Sequence, residues 1–208
     1  MKLSFVIPTY NEEQSIEVLY REILENMSLL KYNELSYEII FIDDGSTDNS
    51  FSKMQSIAEQ DSNVKIVKFR KNFGKAAGLQ IGFRIAEGDI IFTMDADLQD
   101  NPKEIPHFLK KIAEGYDLVT GWKKKRRDPI SKTIPSKLFN SVTSSSFHLK
   151  LHDYNCGFKA YKKELIKEID IYGEMHRYIP ALAIAKGFKI AEIPVEHRKR
   201  KYGKSKYG

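Results

Sequence analysis

Two aspartates and a glutamine, Asp95, Asp97 and Gln99, follow a short apolar run in the middle of the chain. Side chains alternate along an extended segment, so the two carboxylates point to the same side. Carboxylates this close repel each other unless one is protonated, and they therefore favour a bound cation. Oxygen-only ligands are typical of Mg²⁺ or Mn²⁺ rather than zinc. An acidic loop before a helix start at Asn101-Pro102 would explain Asp100, but not two acids that continue a strand.

Polar residues also follow two earlier apolar runs, in the segments Pro8-Thr9-Tyr10-Asn11-Glu12 and Asp43-Asp44-Gly45-Ser46. In purely structural terms, Asp44-Gly45 is a turn and Ser46 is a helix N-cap. A pair of acids is also suited to accept hydrogen bonds from a base or from ribose hydroxyls. The first run is not followed by the G-x-G-x-x-G pattern, which weakens a dinucleotide dehydrogenase interpretation.

Alternating strand and helix patterns over the first 120 residues would position these groups. Such alternation predicts an α/β fold with a mainly parallel sheet and helices on both faces, whose ligands lie at the carboxyl ends of the strands. The apolar runs predict strands at Leu3–Pro8, Tyr37–Ile42, Val64–Phe69, Asp89–Met94 and Asp117–Thr120. Helical spacing predicts helices at 12–30, 47–59, 74–87 and 102–114.

The regular alternation of strand and helix patterns ends after Thr120, where a basic, proline-containing stretch leads into a predicted helix at 136–148. Further on, the patterns predict a short extended run at Cys156–Tyr161, helices near 162–168 and 175–186, and a strand at Lys189–Val195. Neither an internal repeat nor a low-complexity linker separates the two parts. We therefore expect one domain over residues 1–208.

The composition narrows the class of protein further. At 208 residues and 41% hydrophobic content, the chain has the size and the apolar content of one folded domain. Its single cysteine, Cys156, excludes an internal disulfide and indicates a reducing compartment. Every apolar run is shorter than the roughly 18 residues of a membrane span, and the apolar start is too short for a signal peptide.

The net charge of +6 is concentrated in two basic segments. Residues 123–137 contain seven Lys or Arg and one Asp, and residues 186–208 contain eight Lys or Arg and two Glu. The remainder of the chain is acidic. Localised basic segments indicate anionic partners such as ligand phosphates, nucleic acid or lipid headgroups, although a solvated surface gives the same pattern.

In their order and spacing, the motifs resemble the family 2 glycosyltransferases of the GT-A fold. Within that family the chain is most similar to the dolichyl-phosphate mannosyltransferase and bacterial polyprenyl-phosphate glycosyltransferase branch. The resemblance covers essentially the whole chain, and it implies a nucleotide-sugar-binding half at 1–120 and an acceptor-side half at 121–208. The residues that carry it are the motifs above, Asn72-Phe73-Gly74-Lys75, Asp153, Gly157-Phe158-Lys159, His176-Arg177-Tyr178 and Gly203-Lys204-Ser205-Lys206.

The resemblance implies a role for each matched position. The nucleotide-binding positions are Pro8, Tyr10, Glu12, Asp43 and Asp44. The positions that bind Mg²⁺ or Mn²⁺, and through it the donor diphosphate, are Asp95, Asp97 and Gln99. The cations that match diphosphate-binding positions are Lys123, Arg200 and Lys206. Lys159 stands where many relatives carry arginine, which removes the bidentate phosphate grip that arginine provides.

The implied reaction is an inverting sugar transfer from a UDP- or GDP-linked donor to a polyprenyl phosphate. Asp153 matches the position of the base. Asp97 is assigned a catalytic role because it would bind the cation that neutralises the leaving diphosphate. His152 and His176 are further candidates for a base, but isolated histidines are more often packed residues. Lys124, Arg126 and Arg127 are expected to meet the lipid phosphate and an anionic membrane surface. Relatives often continue into transmembrane helices, so we expect a catalytic segment at the cytoplasmic membrane face.

Three other functions compete with this interpretation. A family 2 transferase could instead modify a soluble sugar or a growing polysaccharide. A nucleic-acid-binding protein would explain the pI of about 9.1, but the basic segments flank an acidic site and carry no aromatic ladder or recognition-helix pattern. A nucleotidyltransferase would share the carboxylates and the metal, but its glycine-rich N-terminal signature is missing. We therefore expect no nucleic-acid partner, and the sequence leaves the sugar, the base and the oligomeric state open.

Overall fold

In the computed structural model, residues 1–30, 34–124 and 151–203 are described, and they form a seven-stranded sheet with the order β3-β2-β1-β4-β6-β5-β7. β1 pairs in parallel with β2 and β4, β2 with β3, and β5 with β7. Only β6 runs antiparallel to its neighbours β4 and β5. The strands are β1 (Lys2–Thr9), β2 (Ser36–Asp43), β3 (Val64–Lys68), β4 (Ile90–Thr93), β5 (Leu118–Trp122), β6 (Lys159–Lys162) and β7 (Ile190–Pro194).

Helices cover both faces of this sheet, as the sequence predicted. α1, α2 and α4 pack on one face in an apolar core that includes Leu19, Met54 and Phe108. α3, α5 and α6 pack on the other face, in a core that includes Phe83 and Leu165. The helices are α1 (Ile16–Ser28), α2 (Ser50–Gln60), α3 (Lys75–Ile85), α4 (Ile105–Ala113), α5 (Lys163–Glu168) and α6 (Ile179–Ala185).

Helix starts are the main difference from the predicted elements. The helix expected from residue 12 begins at Ile16, because the Ser15 N–H closes a turn onto the Glu12 carbonyl at 3.0 Å. The helix expected from residue 102 starts as a 3₁₀ turn at Pro102–Glu104, and the one expected from 175 as a 3₁₀ turn at Met175–Arg177. Short polar turns thus lie between strand ends and helices. The helix predicted at 136–148 lies outside the described residues.

An aromatic cluster links the two parts of the sheet below the acidic segment. The ring of Phe92 on β4 lies 5.4 Å from Phe5 and 6.2 Å from Phe158. Phe158 also packs against Phe108 of α4, with ring centroids 4.4 Å apart. Aromatic pairs at such distances contribute about 0.5–1.5 kcal/mol beyond their buried area. This packing holds the segment before β6 against the end of β4.

Candidate active site

The acidic segment Asp95–Asp100 leaves β4 at the carboxyl edge of the parallel strands. The Asp95 carboxylate contacts the ammonium of Lys75, the first residue of α3. The Asp97 carboxylate accepts a hydrogen bond of 2.6 Å from Arg200. The Asp95 N–H donates to Asp100 at 3.2 Å, which turns the segment back on itself. The two carboxylates predicted to act together therefore lie together, each beside a cation.

The two carboxyl groups differ in their affinity for a proton. Burial raises the pKa of Asp97 to about 6, and the nearby charges of Asp95 and Asp100 add to the increase. Burial also acts on Asp95, but the charges of Lys75 and Lys123 outweigh it and hold that pKa below its ordinary value. One buried carboxyl group thus resists ionisation beside another that is ionised, which shows that the pair is surrounded by too little positive charge. That electrostatic deficit is what a divalent cation would correct.

The donor set suits a hard divalent cation. Asp95 and Asp97 supply carboxylate oxygens only, and Mg²⁺ commonly takes one or two carboxylates together with substrate phosphates and water. Among the described residues no group of three or more His, Cys, Asp or Glu is arranged to hold a metal. Gln99, the third predicted ligand, donates its side-chain N–H to the Arg198 carbonyl at 3.3 Å. This hydrogen bond uses the amide nitrogen, whereas a metal would be bound through the side-chain oxygen of Gln99. Ligands beyond Asp95, Asp97 and Gln99 would come from substrate or solvent.

Arg200 joins the acidic segment to the end of β1. Its guanidinium donates to Glu12 at 2.8 Å and to Asp97 at 2.6 Å, and all three side chains are largely buried. The neighbouring Arg198 is anchored on α1, where it forms two hydrogen bonds to Glu22 at 3.0 and 2.8 Å. Glu12 and Arg200, predicted as donor-binding residues from opposite ends of the chain, are therefore in contact.

Lys123 follows β5 and points into the same region. Its ammonium lies 3.7 Å from the Asp100 carboxylate, and its side chain is 12% exposed. Burial lowers its pKa, but the charges of Asp100, Asp95 and Asp153 outweigh burial and raise the pKa above its ordinary value. Lys123 is therefore a permanent cation between the acidic segment and Asp153.

The predicted nucleotide-binding residues line the carboxyl ends of β1 and β2. Pro8 lies within β1, Tyr10 follows that strand, and Asp43 is the last residue of β2. Asp43 accepts a hydrogen bond from the Ser46 N–H at 3.0 Å. Its second carboxylate oxygen is buried and has no hydrogen-bond partner within the described parts of the chain.

Asp44 organises the loop that follows β3. Its two oxygens accept hydrogen bonds from the backbone N–H groups of Phe73 and Gly74, at 2.7 and 3.0 Å. Gly45 makes this close approach possible, because it has a φ of +75° and a Cβ there would lie 2.5 Å from the Lys71 backbone. Asp44 therefore fixes the loop that positions Lys75 next to Asp95.

Asp153 is buried, at 1% exposure, in the segment that precedes β6. Its carboxylate accepts a hydrogen bond from the Asn155 N–H at 3.1 Å, and its own N–H donates to Glu192 of β7 at 2.9 Å. His152 donates to Glu192 as well and stacks on Trp122, with ring centroids 4.0 Å apart. His152 is thus a packed surface residue, as isolated histidines usually are.

Lys124 is exposed, with its ammonium 5.5 Å from the centre of the Trp122 ring, outside the carboxylate cluster. The remaining predicted residues Arg126, Arg127 and Lys206 lie outside the described residues.

Lys75, Lys159 and Glu192 contribute to this region and were not predicted as site residues. Lys75 belongs to the motif Asn72-Phe73-Gly74-Lys75 before α3, which contributes to the family resemblance but implied no site role for this lysine. Glu192 has none, because its contacts to residues 152 and 153 arise only when β7 pairs with β5. His176 is partly buried, and burial together with Lys75 and Lys159 lowers its pKa to about 3. It is therefore neutral at physiological pH.

Comparison with known proteins identifies the family. The model of glycosyl transferase family 2 matches residues 4–170. This chain belongs to that family. The resemblance seen in the motifs is thereby confirmed. The matched region includes Glu12, Asp95, Lys123 and Asp153, whereas His176, Glu192 and Arg200 lie beyond it.

Two curated relatives match the chain over nearly its whole length. The dodecaprenyl-phosphate galacturonate synthase of Rhizobium johnstonii is 37% identical over 100% of this chain and 62% of its own. The undecaprenyl-phosphate 4-deoxy-4-formamido-L-arabinose transferase of Shewanella sediminis is 39% identical over 99% of this chain and 62% of its own. The chain therefore spans about three-fifths of the length of these relatives.

Solved structures share the fold. Glucosyl-3-phosphoglycerate synthase from Mycobacterium tuberculosis with UDP is 21% identical and has a TM-score of 0.71 over 98% of this chain and 73% of its own. The same synthase with Mg²⁺ and UDP has a TM-score of 0.68 at 22% identity, over 96% of this chain and 72% of its own. This likeness confirms the predicted GT-A fold of the family 2 chain. Within its described residues, no helix has both the length and the hydropathy to cross a bilayer.

Proposed function

We propose that this chain transfers a sugar from a UDP- or GDP-linked donor to a polyprenyl phosphate, with inversion at the anomeric carbon. The two relatives support this proposal, because their names specify transfer to dodecaprenyl or undecaprenyl phosphate. The observation that carries it is the pair Asp95 and Asp97 at the carboxyl edge of the sheet, with Lys75, Lys123 and Arg200 around it. Carboxylates interleaved with cations suit a metal-bound diphosphate.

In this proposal the nucleotide lies across the ends of β1 and β2. Its contacts are with Pro8, Tyr10, Glu12, Asp43 and Asp44. Asp95, Asp97 and Gln99 would hold Mg²⁺ or Mn²⁺, and the cation, when bound, supplies positive charge that stabilises the departing diphosphate. Solved structures of the mycobacterial synthase that contain UDP together with Mn²⁺ or Mg²⁺ support this choice of metal. The protein's own cations on the diphosphate are Lys123, Arg200 and Lys206.

The transfer is a single displacement. An oxygen of the lipid phosphate attacks the anomeric carbon, while the bond from that carbon to the diphosphate oxygen breaks and its electron pair leaves with the nucleoside diphosphate. A lipid phosphate is already anionic near neutral pH, so little proton abstraction is needed. Asp153 therefore orients the acceptor or accepts its residual proton, and its backbone N–H is held by Glu192 for that purpose.

The acceptor arrives from the membrane. Lys124, Arg126 and Arg127 meet the lipid phosphate and anionic headgroups, at about 1 kcal/mol of attraction per cation near the surface. The enzyme then works as a single catalytic domain at the cytoplasmic face.

Two measurements test the function. Thermal shifts with UDP and GDP, with and without Mn²⁺, should show stabilisation by one nucleotide that depends on the metal, since ligand at 100 times its Kd stabilises by about 2.7 kcal/mol. A radiolabelled donor should then give product that partitions with polyprenyl phosphate into organic solvent. The matched control is Asp170→Asn, a charge removal at an exposed residue that pairs with Arg84 and is none of the predicted site residues. No shift with either nucleotide would overturn the donor assignment, and product that stays in water would favour a soluble acceptor.

A further inference from the structure

Arg200 contacts the same carboxylate that is proposed to bind the metal. Both oxygens of Asp97 are engaged: Oδ2 accepts a hydrogen bond from Arg200 at 2.6 Å, and Oδ1 accepts one from the backbone N–H of Gln99 at 3.0 Å. The side chains of Arg200 and Asp97 are 19% and 10% exposed, so this ion pair is largely shielded from water. A metal ion that binds Asp97 through Oδ2 therefore competes with the guanidinium for that oxygen.

A divalent cation and the guanidinium do not share one carboxylate oxygen readily. Mg²⁺ binds its oxygen ligands at roughly 2.0–2.1 Å, so it would lie close to the arginine. Like charges at such separations in a partly buried site repel each other. A nucleoside diphosphate removes this conflict, because its oxygens bind a metal and also accept paired hydrogen bonds from a guanidinium. Both cations can therefore stay at the site when the diphosphate supplies the additional negative charge.

Glu12 holds Arg200 independently of Asp97. The guanidinium donates to Glu12 through Nη1 at 2.8 Å and to Asp97 through Nη2, so one contact can break while the other stays. Glu12 is itself fixed, since its backbone N–H donates to Ser50 Oγ at 2.8 Å and its carboxylate accepts from the Ser15 hydroxyl at 3.3 Å. Glu12 therefore keeps the arginine within reach of the site after Asp97 is released.

The backbone is anchored on either side of Arg200. The Arg198 guanidinium donates to Glu22 at 3.0 and 2.8 Å, and the Arg198 N–H donates to the Gln99 carbonyl at 3.0 Å. Tyr202 packs against the apolar core under the sheet. The long side chain of arginine can still turn by changing rotamers. Arg200 can therefore change partners without any movement of the backbone.

We propose that Arg200 and the metal replace each other on Asp97, so that metal and nucleoside diphosphate bind as a pair. Arg200 neutralises Asp97 until the donor binds; the diphosphate then takes the guanidinium, and the metal takes the carboxylate. The inference rests on the proposed function, because that function puts the diphosphate and the cation at this site. Each of the two ligands then raises the affinity for the other by the same factor.

Titration with Mn²⁺ alone tests the competition directly. Calorimetry on the full chain at pH 8, above the pKa of Asp97, should show that Arg200→Met binds Mn²⁺ about tenfold or more tightly than the wild type, the effect of one lost charge-assisted hydrogen bond. Lys201→Met is the matched control, since it removes the same charge from an exposed neighbour and should leave Mn²⁺ affinity nearly unchanged. Lys123→Met measures the effect of a nearby charge that contacts Asp100 rather than Asp97, and its gain should be smaller.

A gain for Arg200→Met no larger than that for Lys123→Met would overturn the inference, as would an equal or weaker Mn²⁺ affinity. If Arg200→Met does not fold, Arg200→Lys decides. It keeps the charge, but its single nitrogen does not reproduce the two-nitrogen contact with Glu12 and Asp97. Mn²⁺ should then bind severalfold more tightly than to the wild type, and an unchanged affinity would overturn the inference.

The coupling between the two ligands is the second measurement. UDP or GDP, whichever binds, should tighten Mn²⁺ binding in the wild type, and in Arg200→Met this coupling factor should fall by about the factor that Mn²⁺ alone has gained. If Arg200 only binds the diphosphate, its loss weakens nucleotide binding equally with and without Mn²⁺. An unchanged coupling factor would therefore overturn the inference and leave the proposed function standing. Absence of nucleotide binding in the wild type would overturn both.

Discussion

Replacing Asp97 by asparagine removes one charge from the carboxylate pair and keeps the size of the side chain. The Gln99 N–H donates to Asp97 Oδ1 at 3.0 Å, a bond that the asparagine oxygen can also accept. Arg200 loses its ion pair with residue 97 but keeps the one with Glu12 at 2.8 Å. The substitution therefore changes the charge of the site more than its shape. We expect it to abolish metal-dependent donor binding and, at neutral pH, to stabilise the fold.

The expected gain in stability follows from the pKa of Asp97. Its ordinary value is 3.8 and its value in the folded protein is about 6, with the attraction of Arg200 already included. The folded state thus holds the proton more tightly than the unfolded state, and the free energy of unfolding falls as pH rises from about 4 to about 6. At about 1.4 kcal/mol per pKa unit, the ionised carboxylate costs on the order of 1–3 kcal/mol at pH 7. Asparagine avoids that cost, and at pH 4 the advantage should disappear.

Urea unfolding at pH 4 and pH 7 measures this difference, and calorimetry with UDP or GDP and Mn²⁺ measures binding. For a domain of this size, 1 kcal/mol corresponds to about 2–4 °C in Tm. Asp117→Asn is the control of opposite sign: hydrogen bonds from Lys189 and Lys162 outweigh burial and lower the pKa of Asp117, so its loss should destabilise the fold at pH 7. A less stable Asp97→Asn at pH 7 would refute the electrostatic argument. Unaltered Mn²⁺-dependent nucleotide binding would refute the metal site.

Three other perturbations probe the loop beside Asp95, the tail and the basic segment. Gly157→Ala should weaken nucleotide binding tenfold or more, because its Cβ would displace the Asp95 carboxylate, and thermal unfolding should show a cost of about 1–3 kcal/mol. Amide exchange over residues 198–203 should slow when UDP or GDP and Mn²⁺ are added, since Arg200 gains charge-assisted contacts to the diphosphate; equal protection would contradict a closing tail. Charge reversal in the basic segment should weaken binding to anionic vesicles by about 1 kcal/mol or more per residue and leave nucleotide affinity nearly intact, as co-sedimentation and calorimetry would show. The reversed residues are Lys124, Arg126 and Arg127.

Most of the fold could be predicted because the apolar pattern is local. The apolar run Ile39–Ile42 is buried in the sheet, as a continuous apolar run indicates. Ile16, Leu19 and Ile23 form the buried face of α1, as their helical spacing indicates. Helix starts were less accurate, since the turns at residues 12–15 and 102–104 depend on capping bonds rather than on hydropathy. The antiparallel direction of β6 has no local signal either, because strand direction depends on the path of the whole chain.

The sequence by itself determined the chemical types available at this site. Acids that follow strands must meet at the carboxyl edge of a parallel sheet, so Asp43 and Asp95 could be assigned to one region without a structure. Only the tertiary structure decided which charges meet. Arg200 reaches both Glu12 and Asp97, Glu192 holds the backbone of Asp153, and Lys159 is buried among carbonyls. These contacts join residues far apart in sequence, and pKa values and ligand charge depend on distances that no local pattern contains.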